Sequence, residues 1–255
     1  MFHKFSKHLF LFEELVKRDF KQKYKGTVMG MAWSVLSPLL TLLVMKLVFG
    51  VIFARGRENY TTYLFAGTVF FNFFKEATKG GMSALTSNAS IFTKINVPKY
   101  LFLLSKNVSA IINFGLTLVL FFIFAAFDGV TFSWRMLMSF YPVLYLIVFN
   151  IGVGLILSAM YIFFRDTKYL YDVFTLLLHY CSAIFYYVDR YPENLQWIFL
   201  VNPVYLPIKY MRIITLDGNI PSIQYHLLML AWAVLMVGIG AWIYKKNNHK
   251  FLYYV

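Results

Sequence analysis

Six long apolar stretches constrain this 255-residue chain more than any other feature. They lie at about 33–54, 60–84, 105–127, 136–164, 169–188 and 223–244. A bilayer core of roughly 30 Å takes about 20 apolar residues per helix, and each stretch is that long. Lipid cannot satisfy free backbone groups, so a segment that crosses must be a helix or part of a closed barrel. The runs are continuous rather than alternating, which argues against a barrel. Composition agrees, with 60% hydrophobic, 20% aromatic and only 14% charged residues, against about 25% charged in a soluble domain. The expected class is an all-α integral membrane protein with six transmembrane helices. The net charge of +13 does not indicate a nucleic-acid binder, because so little polar surface remains.

An even number of spans puts both ends on one side. Of the 24 Lys and Arg, fifteen fall in the N-terminal segment, the connection after the second span, the 165–168 loop and the tail, which would share that side. Arg55, Arg57, Arg135, Arg190, Lys209 and Arg212 fall on the other, and Lys46, Lys75 and Lys79 within spans. The positive-inside bias therefore makes both termini cytoplasmic. The chain is expected to be one membrane domain over 1–255. Residues 1–32 form a cytoplasmic amphipathic segment and 33–188 the first five helices. Residues 189–222 form an outer connection, and 223–255 the last helix and tail. The single Cys181 excludes an intrachain disulfide and offers no metal-site spacing. No small-residue cleavage site follows a short apolar core, so no signal peptide is expected.

Phe5, Leu9, Phe12, Val16 and Phe20 recur every three or four residues, one face of a helix. Lys4, Lys7, Lys17, Arg18, Lys21 and Lys25 mostly fall off that face. Such a helix lies in the membrane interface, and Gly26 and Gly30 allow a bend before the first span. It is either a basic anchor on anionic lipid or a docking element for a cytoplasmic partner. The inner connection, SALTSNASIFTKINVPKYLFLLSKN, leaves a similar choice. Ser87 or Asn88 can cap a short helix and Pro98 redirects it. Ile91, Phe92 and Ile95 would be knobs resting on lipid or fitting a partner's groove.

In the outer connection, Pro192 suits a first helical position, and Asn202–Pro203 is a cap followed by such a position. Pro207 is an alternative start and Gly218 a stop. Neither piece can span a bilayer, so a re-entrant or interfacial hairpin fits. Tyr191, Trp197, Tyr205 and Tyr210 are either aromatic-belt anchors or the lining of an exit. Charges inside spans are functional candidates, although structural pairs beside a water-filled groove are the plainer reading. Helical spacing pairs Glu76 with Lys79, and Asp172 with Lys168. Lys46 is expected to snorkel and His179 to be a packed residue. There is no GxxxxGK[ST], HExxH or GxSxG motif, and no chain of buried carboxylates to relay protons. Energy for a transport step would come from another subunit.

RDFKQKYKGTVMGMAWSVLSPLL, through Arg18, Asp19, Lys21, Tyr24, Gly30, Trp33 and Pro38, resembles the opening motif of ABC-2-type permeases that export polysaccharides and teichoic acids. SNASIFTKINVPKYLFLLS, YIFFRDTKYL and NPVYLPIKYMRIITLDG are similar to that family's later motifs, in the same order over essentially the whole chain. One departure stands out. Where the family often has a proline near the outer end of the fifth span, this chain has Ser182 and Ala183, which puts a kink there in doubt. The resemblance implies a homodimer in a bacterial or archaeal plasma membrane, amid membrane lipids, gripped by two ATPase subunits that carry ATP and Mg. This chain itself would need no cofactor or metal and catalyse nothing. The resemblance makes the 12–25 helix and the 87–96 turn docking elements, with Arg18, Asp19, Lys21, Lys23, Tyr24, Asn88, Phe92, Lys94 and Pro98 as docking residues. It implies a lipid-linked glycan, such as O-antigen, teichoic acid or capsule, on a path past Lys25, Trp33, Lys75, Glu76 and Tyr187. It makes the hairpin 190–217 a gate, with Tyr191, Trp197, Asn202, Pro203, Tyr205 and Tyr210. An ABC-2 permease for a small molecule or lipid would share the fold. A membrane-embedded transferase or ion-coupled carrier would need carboxylates or histidines facing a cavity.

Overall fold

The computed structural model describes residues 2–50, 59–95 and 97–254, with 2–8, Tyr24 and Met31 described by backbone alone. These residues form helices and connecting loops, without a strand. The helices are α1 (Phe2–Tyr24), α2 (Trp33–Phe49), α3 (Tyr60–Ser87), α4 (Ala89–Phe92) and α5 (Tyr100–Phe127). They continue with α6 (Phe140–Phe163), α7 (Thr167–Cys181), α8 (Glu193–Val201), α9 (Tyr205–Thr215) and α10 (Ile223–Asn247). Among the described residues, α5, the stretch Trp134–Phe163 that ends in α6, and α10 are long and apolar enough to cross a membrane. The apolar α2 is shorter. The first predicted span runs past it into residues 51–58, which lie outside the described residues along with Arg55 and Arg57.

Two expectations change. The fifth predicted span, 169–188, is a 15-residue helix, α7, followed by a non-helical run. At 1.5 Å per residue α7 is about 22 Å long, short of a bilayer core. The doubted break is present without a proline, because Ala183 takes φ +47°. Second, the inward face of α1 is offset from the predicted apolar stripe. Leu15 and Asp19 are buried and Leu11 is half-buried, whereas Leu9 is exposed. The expected bend after α1 is there, with Gly26 at φ +82°.

Local chemistry sets the helix ends. α5 stops at Asp128 and Gly129, and Gly129 takes φ +83°. The Gly129 amide then bonds to Ala126 O and the Val130 amide to Ala125 O, at 3.1 and 3.0 Å. That pair of bonds satisfies carbonyls the helix would otherwise leave open. The Asp128 carboxylate also receives the backbone amide and hydroxyl of Thr62, at 2.9 and 2.8 Å, and so caps α3 with a negative charge.

α3 is the core helix. Residues 60–71 are buried without interruption, as expected of a helix apolar on every side. It packs against α5 and α6, and α6 packs against α10. Gly152 and Gly154 are two positions apart on α6, so they point about 200° apart and meet different neighbours. A Cβ on Gly152 would lie 2.6 Å from backbone atoms of Met236 and Val237 in α10. One on Gly81 of α3 would lie 3.0 Å from Gly154 Cα. Helices in lipid gain no hydrophobic drive toward one another, so backbone contact through small residues does that work. α2 and α7 sit at the edge with exposed apolar side chains, among them Leu43, Leu47, Leu170 and Leu177. A second apolar cluster closes the end where α1 packs, joining Leu15, Leu85, Phe92, Phe102, Ile162 and Phe251.

Candidate functional site

At one end of the bundle, α1 is locked to its neighbours through Asp19. Its side chain is 2% exposed and lies 2.8 Å from Arg18 Nη2 and 3.0 Å from Lys106 Nζ. Ser105 Oγ donates to it at 3.3 Å. Arg18 Nη2 also donates to Asn88 Oδ1 at 2.7 Å, and Asn88 Nδ2 donates to Ala84 O at 2.8 Å. One charged network therefore joins α1, the end of α3 and the start of α5. Asn88 begins α4 with its carbonyl, which accepts from Ile91 and Phe92, while its side chain serves the network. Phe92 turns inward onto Phe102 rather than outward as expected. The following turn is held by Lys99, which donates to Asn248 O and lies 5.9 and 5.6 Å from the Phe92 and Phe251 ring centroids. Burial lowers the Lys99 pKa from the usual lysine value.

Above this junction a cleft of about 700 Å³ opens between α2, α3 and α5. Trp33, Ser37, Thr41, Asn72 and Lys75 line it, and Glu76 and Lys79 lie at its wall. Glu76 receives Lys23 of α1 and Asn113 of α5, each at 2.8 Å. Lys79 pairs with Asp172 of α7. Both pairings correct the expected local ones, Glu76 with Lys79 and Asp172 with Lys168. Interhelical partners won because the bundle brings them to the same depth. The Lys75 ammonium has no ion pair or hydrogen bond among the described residues and faces this cleft. α7 is tied to α3 again by Tyr171, whose hydroxyl donates to Thr78 Oγ1 at 2.6 Å. His179 is packed, its ring centroid 4.8 Å from that of Phe71.

At the other end, the run after α7 meets the hairpin of α8 and α9. Asn202 Oδ1 accepts from the amides of Val204 and Tyr205, at 2.9 and 3.3 Å. Its Nδ2 donates to Cys181 O and Ser182 Oγ, at 3.2 and 3.0 Å. It thus caps α9 and fastens the hairpin to the broken end of α7. α9 starts at Tyr205, so Pro207 sits in its first turn rather than opening it. Pro203 O accepts from Tyr145 at 2.9 Å. Tyr210 OH lies 2.8 Å from His226 Nε2.

The residues predicted for docking thus divide. Asp19, Asn88 and Phe92 are interior, and Arg18 bridges inward. Lys21, Lys23 and Lys94 are exposed, Pro98 is half-buried, and the Tyr24 side chain lies outside the described residues. Of the predicted path, Trp33, Lys75 and Glu76 share the cleft. Lys25 is exposed, and Tyr187 is buried elsewhere, 4.2 Å from the Tyr63 ring. Of the predicted gate, Tyr191 and Trp197 are exposed, whereas Tyr205 and Tyr210 are buried. The sequence reading missed Ser105, Lys106, Asn113 and Arg212. An arginine within a tyrosine-rich apolar helix and a basic residue at the start of an apolar run were the available signals.

Among curated proteins, the chain is similar to two O-antigen export system permease proteins RfbA of Klebsiella pneumoniae. Each is 26% identical over 247 residues, covering 95% of both chains. It is also similar to an RfbA of that name from Myxococcus xanthus, 24% identical over 239 residues, covering 93% of this chain and 92% of that one. The pattern of the ABC-2 type transporter family matches residues 11–216, which takes in the Asp19 network, the cleft and the hairpin up to the end of α9. The chain belongs to the ABC-2 type transporter family.

Proposed function

We propose that this chain is the membrane permease subunit of an ATP-driven exporter that moves a lipid-linked polysaccharide of the O-antigen class out of the cytoplasm. It crosses the plasma membrane six times with both termini cytoplasmic, the fifth crossing being completed by the non-helical run that follows α7. It works as two copies with two ATPase subunits, which bind ATP and Mg. The Asp19 network carries this reading. A partner that displaces α1 must also displace the ends of α3 and α5, because a buried carboxylate cannot shed its cations without large loss. The push then reaches the cleft through α3 and through the Lys23–Glu76 pair. The names of the relatives support the glycan. A cleft that mixes an aromatic ring, hydroxyls and the Lys75 ammonium suits a polar chain bearing phosphate. The α8–α9 hairpin is the exit gate.

Because Asp19 and Asn88 are interior, the partner's surface is made by the exposed Lys21, Lys25, Lys94 and Ile95. The test is Lys21→Glu together with Lys94→Glu. The variant should accumulate and melt like the native protein, yet lose ATPase capture and export at least tenfold. Native export would contradict the docking role.

A further inference from the structure

Arg212 lies on α9 and is 3% exposed. No carboxylate pairs with it among the described residues. A buried cation persists only where its donors are filled, and here backbone carbonyls fill them. Nε and Nη2 donate to Tyr63 O at 3.2 and 3.0 Å. Nη1 donates to Ala183 O and Nη2 to Ile184 O, both at 2.9 Å. The guanidinium carbon lies 3.4 Å from the Tyr63 ring centroid. Gly67 leaves the room: a Cβ there would come within 2.9 Å of Nη2 and 3.2 Å of Ile184 Cα.

The carbonyls of Ala183 and Ile184 are open to Arg212 because α7 has already ended. Were α7 to continue in helical form, those carbonyls would accept amides four residues on and turn along the helix axis. Arg212 would then lose two of its three carbonyl partners. The broken form of α7 and the bonded form of Arg212 therefore require each other. Tyr60 and Tyr63 fasten the same run to α3, donating to Phe185 O and Tyr186 O at 2.7 and 2.6 Å.

We propose that Arg212 is the positioning residue that holds the outer end of the pathway shut, and that opening lengthens α7 and releases it. The proposal rests on the hairpin being the gate. The test is ion conductance of the permease–ATPase complex in planar bilayers, without substrate or ATP. Arg212→Met should raise the leak at least tenfold. Arg212→Lys should leak less than that but clearly more than native, because an ammonium keeps the charge and loses the planar fork. A variant of the exposed hairpin residues, Tyr191→Ala with Trp197→Ala, serves as comparator. If the comparator leaks while both Arg212 variants stay as closed as native, the latch is overturned and the gate reading stands. If all three stay closed, both fall. Should Arg212→Met fail to reach the membrane, Arg212→Lys decides alone, and a native-level conductance overturns the latch.

Discussion

Asp19 points inward from a helix whose other face is open, and it collects Arg18, Ser105 and Lys106. Loss of one partner from a buried ion pair typically costs about 3–5 kcal/mol. The partners here are 40% and 20% exposed, so water offsets part of that. Asp19→Asn should lower stability by about 2 kcal/mol, scaled down from the buried-pair range. Thermal unfolding in detergent measures it, and an unchanged melting temperature would contradict the network's structural role. At this scale the sequence was readable only in part. Arg18 and Asp19 stood out as a motif, but nothing in the spacing said that Asp19 faces Ser105 and Lys106. Arg212 was hidden by the same limit. Its position in the outer connection made it look like a loop charge, and its partners are carbonyls, which leave no mark in side-chain identity.

Among elements, the α6–α10 pair depends on contact too close for side chains. A Cβ on Gly240 would lie 2.5 Å from Gly152 O, and backbone cannot yield as a flexible side chain can. Gly240→Leu should therefore part the two helices, with a loss of about 3 kcal/mol or more, since overpacking a tight contact costs about 1–3 kcal/mol even where side chains can adjust. Reduced accumulation and a lower melting temperature would report it; a native melt would show that α10 is held elsewhere. Long helices were legible because their apolar runs are long. α5, α6 and α10 end within a few residues of the runs that announced them. α7 was not, since its apolar run continues past Cys181 while the backbone turns at Ala183. Propensity carries no signal for a break that tertiary hydrogen bonds impose. α1 shows the same thing in miniature, where a polar residue, Asp19, belongs to the buried face.

Over the whole molecule, polar links run from one end to the other. The Asp19 network ties α1 to α3 and α5, Glu76 and Lys79 tie α3 to its neighbours at the cleft, and Asn202 and Arg212 tie the hairpin to α7 and α3. The exposed apolar faces of α2 and α7 lie beside this route, meeting at a groove lined by Leu40, Val44, Tyr180 and Phe185. On the proposed function, these links make α3 the element through which a displacement of α1 would reach the hairpin. Reconstitution in proteoliposomes tests that account most directly, by following a lipid-linked glycan across the bilayer. Transfer should require this chain, its ATPase and ATP together, and should fall at least tenfold when residues 1–24 are removed from a chain that still inserts. Transfer by this chain without the ATPase, or at the native rate without α1, would contradict it.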